Sequence, residues 1–523
     1  MDRFDTVITG GEVVDGTGAP RRRRDVGITG GRIAEISPGP LTGGTVVDAA
    51  GQVVAPGFID LHSHADYTLQ AAPAATTQIR QGVTTLITGN CGHSPFPVRD
   101  VELLRRASIL GDAGMSWNWR DAAGFRRALD GTAPAVNVGL QVGHHAVRLA
   151  VLGDADRAPD ADELAAMCAL VAEAGRQGAV GFSTGLIYAP GVFADAAEVG
   201  ALVATAARAG LLYSTHVRDE SSGLLDAVRE AIEAAEAGGA RLEISHLKAT
   251  GPGNHGAVVE ALALIDAARG RGLDVAADVY PYAASSTALV SRLPSWALAG
   301  GRAALLARLA DPAARDRIAR EVRASFGHDA DPEGIVLADL PAGPYRGSTG
   351  RSIADIGRAE GTDPAEAALR VLAAHDAEVT IVHHGMSEAD VDTVLRHPEV
   401  SVASDGWTLT ERGAGRPHPR SFGTFARVLG RYVRERGVLE LEEAVRKMTS
   451  LPASRLRLAD RGVLAPGAVA DVVVFDPATI VDRATYEQPW QLATGCTAVL
   501  VGGVPALLAG EPTGRTAGRV LTG

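Results

Sequence analysis

The chain has 523 residues, 46% hydrophobic and 21% charged, with a formal net charge of −12. That is enough apolar material for one large domain and a smaller one, and the acidity argues against nucleic acid as a partner. No membrane-spanning apolar run and no signal-peptide pattern is seen, and three scattered cysteines cannot build a disulfide framework, so a soluble cytoplasmic protein is expected.

Residues 1–55 read as short strands with glycine turns, in "DTVITGGEVVDGTG", "DVGITGGRIAEISP" and "GTVVDAAGQVVAPG". Arg21–Arg24 is read as a solvated turn. From residue 56 the pattern changes to apolar runs with polar ends: "GFIDLHSH", "TTLITGNCG", "VNVGLQVGHH", "GAVGFSTG", "LLYSTH", "RLEISH", "LDVAADVYPY" and "VSVASDG". Ala-rich helical segments lie between several of them, at Asp162–Gln177, Ala196–Ala209, Leu224–Ala237 and Ala257–Arg269. Repeated βα units of this number predict an α/β fold, a (β/α)₈ TIM-type barrel over 56–459. The rhythm breaks at about 287–350, which reads as an inserted lid. A ninth strand candidate, Ala377–Gly385, is one too many and is assigned to an excursion after the seventh strand. Residues 460–523 return to strands, so 1–55 and 460–523 are expected to form one small β-sandwich domain from both termini.

Metal-ligand residues recur at the C-terminal ends of the predicted strands, the face where such barrels carry their active sites. His62 and His64 alternate on one strand, so both rings point to one side. Cys91 ends the next strand. His216 and His246 stand one βα unit apart and should occupy neighbouring strand ends. Cys91, His216 and His246 then offer a three-ligand site with an open position, as catalytic zinc requires; His62 and His64, sharing Cys91, offer a second. Asp405 ends the last strand, where a carboxylate can take a proton from an attacking water and pass it to a leaving group. Asp66 is read as a metal-supporting or solvated carboxylate. Cys168, in a helix, and Cys496, in the β-domain, are read as core residues. Only two of the 50 basic residues are lysines, Lys248 and Lys447, so each is informative. Lys447 lies in a helical stretch and is read as structural.

"PGFIDLHSH", the strand-end histidines, Asp405 and "GVLAPGAVADVVVFDP" resemble the amidohydrolase superfamily. Within it, "GNCG", "GFSTGLIYAPG", "THVRDE", "ISHLK", "DVYPYAASST", "HPRSFGTFARVLGRYVRE" and "KMTSLPA" are similar to the N-acyl-D-amino-acid deacylase (D-aminoacylase) branch. Many binuclear amidohydrolases bridge their metals with a carboxylated lysine from the fourth strand. "GAVGFSTG" has no lysine, and the resemblance implies that Cys91 bridges instead. It further implies one tight zinc on Cys91, His216 and His246, a weaker metal at His62 and His64, and Asp405 as catalytic acid/base. Lys248, Tyr188, Tyr280, Ser286 and Arg420 match residues that contact the substrate, several at its carboxylate. The substrate partner so implied is a small N-acyl amino acid.

The sequence departs from that branch at His93, Pro95 and Phe96 after Cys91, where aliphatic residues are more typical. It also departs at His383 and His384, read as non-ligands. The doubled His144–His145 leaves His144 either polarising the substrate or supporting the metal shell. A cyclic-amide hydrolase of the dihydroorotase or hydantoinase type is the rival reading, and a non-catalytic binding barrel the more distant one.

Overall fold

The computed structural model describes residues 4–107 and 114–523. Eight parallel strands follow one another around a barrel: β1 (Phe58–Asp60), β2 (Val83–Thr88), β3 (Asn137–Gly143), β4 (Gly181–Gly185), β5 (Leu212–His216), β6 (Leu242–Ile244), β7 (Val275–Val279) and β8 (Val400–Val402). β1 and β8 meet beyond their ends through a parallel bridge between Ser63 and Gly406. His64 N donates to Gly406 O at 2.8 Å and Asp405 N to His62 O at 2.8 Å, so the closing contact lies beyond the C-terminal ends of the strands. The near-continuous apolar character of these strands follows from burial on both sides.

Helices cover the barrel, and local chemistry sets their ends. The helix Ala161–Arg176 starts in a capping box, with Asp160 accepting from Glu163 N and Glu163 accepting from Asp160 N. Asp195 caps Ala196–Arg208 by accepting from Glu198 N. Gly239, at φ +67°, ends Leu224–Gly238 in a left-handed turn.

Between β7 and β8 the chain makes an excursion with its own three-stranded antiparallel sheet, in the order Ser285–Ala288, Thr380–His383, Ile335–Asp339. It is longer than the 287–350 stretch that composition marks. The supernumerary strand candidate near residue 380 is its central strand. Leu289, Ile318, Leu337, Leu369 and Ile381 form a core of its own.

The two termini combine in one nine-stranded sheet. Phe4–Val13 pairs with Arg22–Thr29 on one side and with Gly43–Asp48, then Val53–Pro56, on the other. Val53–Pro56 then pairs antiparallel with Val472–Phe475 from the C-terminal segment. The sheet encloses Ile8, Val26, Ile33, Val54, Val472 and Leu500. Its other face joins the barrel core, where Phe58 of β1 packs against Phe425 at 5.7 Å and Phe475 at 6.3 Å. Arg22–Arg24 lie on a strand, paired with Gly11–Val13, and not in a turn. No described helix is long and apolar enough to cross a membrane.

Candidate active site

The site is built where β1, β2, β5, β6 and β8 end. Cys91 Sγ lies 3.3 Å from His62 Nε2 and 3.5 Å from His246 Nε2, all three residues being buried. His62, Cys91, His246 and Asp405 bring one donor atom each within 4.8 Å of one another, and so do His216, Glu220 and His246. His246 belongs to both groups. His216 packs edge-on against it, ring centroids 4.3 Å apart, and His216 Nδ1 has no hydrogen-bond partner. His64 sits one step out, its Nε2 3.1 Å from Asp405 Oδ1.

Three of these residues hold left-handed backbone conformations: Cys91 at φ +54°, His246 at +36° and Asp405 at +52°. Each costs of order 1–3 kcal/mol for a residue with a Cβ, and such strain collects at functional sites. A Cβ on Gly185, at the end of β4, would lie 2.1 Å from Cys91 O. The end of the fourth strand thus has no room for a side chain, and Cys91 occupies the neighbourhood instead.

Carboxylates beneath the imidazoles fix their orientation. Asp278 of β7 places Oδ2 3.4 Å from His62 Nδ1, and its Oδ1 accepts from His246 N at 2.8 Å. Glu220 places Oε1 3.1 Å from His246 Nδ1 and Oε2 3.4 Å from His216 Nε2. With their Nδ1 sides held, His62 and His246 turn Nε2 toward Cys91, the usual support for a metal-ligating histidine. Neither Glu220 nor Asp278 stands out in the sequence. The one available signal was their place inside "THVRDE" and "DVYPY", four residues after His216 and at the end of β7.

This donor set fits a borderline, thiophilic cation such as zinc. Burial pushes the Cys91 thiol well above its usual value, and Asp405 adds to this, so the free side chain is a neutral thiol. Coordination to a cation would deprotonate it. Burial lowers His62 to about 3 and His246 to about 3, leaving both rings neutral and able to act as ligands. Burial alone would raise Asp405, but Arg420, His62 and His64 more than offset it and hold the carboxyl well below its ordinary value. Asp405 is therefore an ionised acceptor, with Oδ2 2.7 Å from the Arg420 guanidinium.

The residues matched to substrate contacts converge on the same mouth. Tyr280 lies between two cations, with Arg420 5.0 Å and Lys248 5.6 Å from its ring centroid. Lys248 Nζ is 2.5 Å from Glu220 Oε1. Arg420 Nη2 donates to Ser286 O at 3.2 Å, and the Ser286 hydroxyl is buried without a partner. Tyr188 packs on His216, ring centroids 4.9 Å apart, and its hydroxyl meets Thr287 Oγ1 at 3.2 Å.

Other residues lie elsewhere. His144 neither supports the metal-ligand cluster nor faces the substrate residues. Its Nε2 is 2.7 Å from Glu198, which also pairs with Arg148, and all three side chains are fully buried. His145 donates to Gly185 O at 2.9 Å. His383 and His384 join neither donor group. Asp66 is buried, and burial raises its carboxyl to about 7. Lys447 is buried and donates to the carbonyls of His397 and Val400. Cys496 is buried, whereas Cys168 is only half-buried on its helix.

The amidohydrolase family matches residues 45–506. The chain is 39% identical to the N-acyl-D-glutamate deacylase of Alcaligenes xylosoxydans xylosoxydans, covering 100% of this chain and 97% of that protein. It is 38% identical to the D-aminoacylase of the same organism, covering 99% and 97%. Its fold matches a crystal structure of N-acyl-D-glutamate deacylase from Bordetella bronchiseptica with a TM-score of 0.83, 37% identity and full coverage of both chains. That structure holds zinc and a phosphonate inhibitor, a mimic of the reaction's tetrahedral intermediate. This chain belongs to the amidohydrolase family, in its D-aminoacylase branch.

Proposed function

We propose that the protein hydrolyses the amide bond of N-acyl-D-amino acids with zinc, releasing a carboxylate and a free D-amino acid. The observation that carries this reading is the Cys91 thiol between His62 and His246, with ionised Asp405 against His62 and His64. Cys91, His216 and His246 would hold the tighter ion, and His62 and His64 a second beside Cys91. Bound there, such an ion supplies Lewis acidity to the attacking water and the acyl carbonyl. Asp405 takes the proton of the attacking water and returns it to the departing amine. Arg420, Lys248 and Tyr280 hold the α-carboxylate, and Ser286 and Tyr188 close around the scissile amide, so the reacting atoms meet in a productive geometry. The D configuration is inferred from the names of the relatives.

An acidic amino-acid side chain is the favoured substrate. Arg292 follows the strand Ser285–Ala288 within electrostatic reach of Tyr188 and Glu220, and among the described residues it donates to Ser291 Oγ at 3.4 Å and forms no ion pair. Burial lowers its pKa. Its charge also adds to the burial that holds His383 at about 3. A guanidinium placed so calls for a carboxylate from the ligand.

The test is a panel of N-acetyl-D- and L-amino acids, with hydantoins alongside and the released amine quantified. Turnover confined to the D series, highest for glutamate or aspartate, is expected. Turnover of hydantoins alone would replace this reading with the cyclic-amide one.

A further inference from the structure

We infer that His93 recognises the acyl end of the substrate and selects acyl groups bearing a polar atom next to the carbonyl. This rests on the deacylase reading above. The barrel's own order supplies the direction. The groups assigned to the α-carboxylate, Lys248, Tyr280 and Arg420, follow β6, β7 and β8. The scissile carbonyl must lie over the Cys91 cluster. The acyl group therefore extends to the opposite arc, above the ends of β2, β3 and β4.

His93, His145 and Tyr188 stand on that arc. The His93 ring centroid lies 6.5 Å from that of His64, 5.6 Å from Tyr188 and 4.6 Å from His145, which it meets edge-on at 88°. His145 is fixed by its bond to Gly185 O and by glycines around it. A Cβ on Gly191 would fall 2.5 Å from its Nε2. It is a rigid backstop for His93. His93 is only 6% exposed, and its Nε2 is buried with no hydrogen-bond partner. A buried polar atom left unmatched is costly, and a ligand that matches it recovers that cost. A site built this way discriminates strongly against an analogue lacking the polar atom, whereas a purely apolar pocket does not. An aliphatic residue at position 93 would make the same wall indifferent.

The test compares N-glycolyl-D-glutamate with N-propionyl-D-glutamate, which differ by a hydroxyl in place of a methyl. Wild-type enzyme should favour the glycolyl substrate in kcat/KM by about tenfold or more. His93→Leu should bring the two values together with zinc content unchanged, and His93→Gln, which keeps a polar terminus, should retain part of the preference. A change in the ratio between two substrates is not produced by a merely structural role. Equal wild-type kcat/KM for the two would overturn the inference whether or not the variants fold, and so would an undiminished preference in His93→Leu. If neither compound nor any other N-acyl-D-amino acid is cleaved, the deacylase reading itself falls, an outcome distinct from cleavage without preference.

Discussion

Glu220→Gln is the most informative single change to the site. The wild-type carboxylate reaches three groups: His246 Nδ1 at 3.1 Å, His216 Nε2 at 3.4 Å and Lys248 Nζ at 2.5 Å. Burial alone would raise its pKa, but His216, Lys248 and His246 hold it well below the ordinary value, so it is ionised at neutral pH. Glutamine keeps the volume and removes the charge. Carboxylates that orient ligand histidines are worth roughly 10–100-fold in metal affinity or activity, about 1.4–2.7 kcal/mol at 1.36 kcal/mol per tenfold. Lys248 is 4% exposed at its side chain and would lose its counter-charge at the same time, so KM should rise as well. Zinc affinity is read by chelator competition, and kcat and KM are measured on the same preparation. Affinity unchanged in the variant would refute the orienting role. Complete loss of zinc binding would refute it too, because Glu220 would then be a ligand.

Three further outcomes follow from the same geometry. Asp405→Asn should stay folded and zinc-loaded while kcat falls by roughly 10²–10⁴; retained wild-type turnover removes Asp405 from proton transfer. Arg292→Met should raise KM for N-acetyl-D-glutamate while leaving an apolar substrate such as N-acetyl-D-methionine little changed, and parallel effects on both would contradict its assignment. Glu198→Gln should destabilise the protein at neutral pH by about 3–5 kcal/mol in denaturant titration, because Arg148 and His144 lose a fully buried partner. Burial raises the Glu198 pKa, but His144 and Arg148 bring it below the ordinary value. Its contribution is therefore present above the usual glutamate range and lost as pH falls through the depressed native value. The gap between wild type and variant should close in acid, and a gap that widens there would contradict the pairing.

The barrel was legible because its strands are apolar runs ending in polar residues, a pattern fixed by burial on both faces and an active face at one end. Strand-end features such as "HSH" and "GNCG" carry their chemistry in adjacent residues, and local spacing suffices to find them. Partnership between distant residues was less visible. Spacing alone gave no reason for His62, not His64, to lie against Cys91. That choice follows from left-handed backbone at Cys91 and from Asp278, contributed by a strand far along the chain. Glu220 and Asp278 look like ordinary charged residues until burial makes them supports. His144 looked like a site residue because it ends an apolar run, but its partner Glu198 lies 54 residues on, across a helix contact that no local pattern encodes. The excursion between β7 and β8 runs past the 287–350 stretch that composition marks, because its later part, Pro364–Ala374 and Thr380–His383, alternates helix and strand just as the barrel does.

The join between Val53–Pro56 and Val472–Phe475 bears on how the polypeptide is made. During synthesis the first barrel strand emerges some four hundred residues before the segment that completes the sheet beneath it. Phe58 must wait for Phe425 and Phe475 before its ring is covered. Contacts this far apart in sequence are slow to form, and the nascent chain carries uncovered apolar surface in the meantime. Ribosome-bound chains stopped before residue 472 should therefore engage chaperones, and the catalytic barrel is not a module that can be excised and expressed alone.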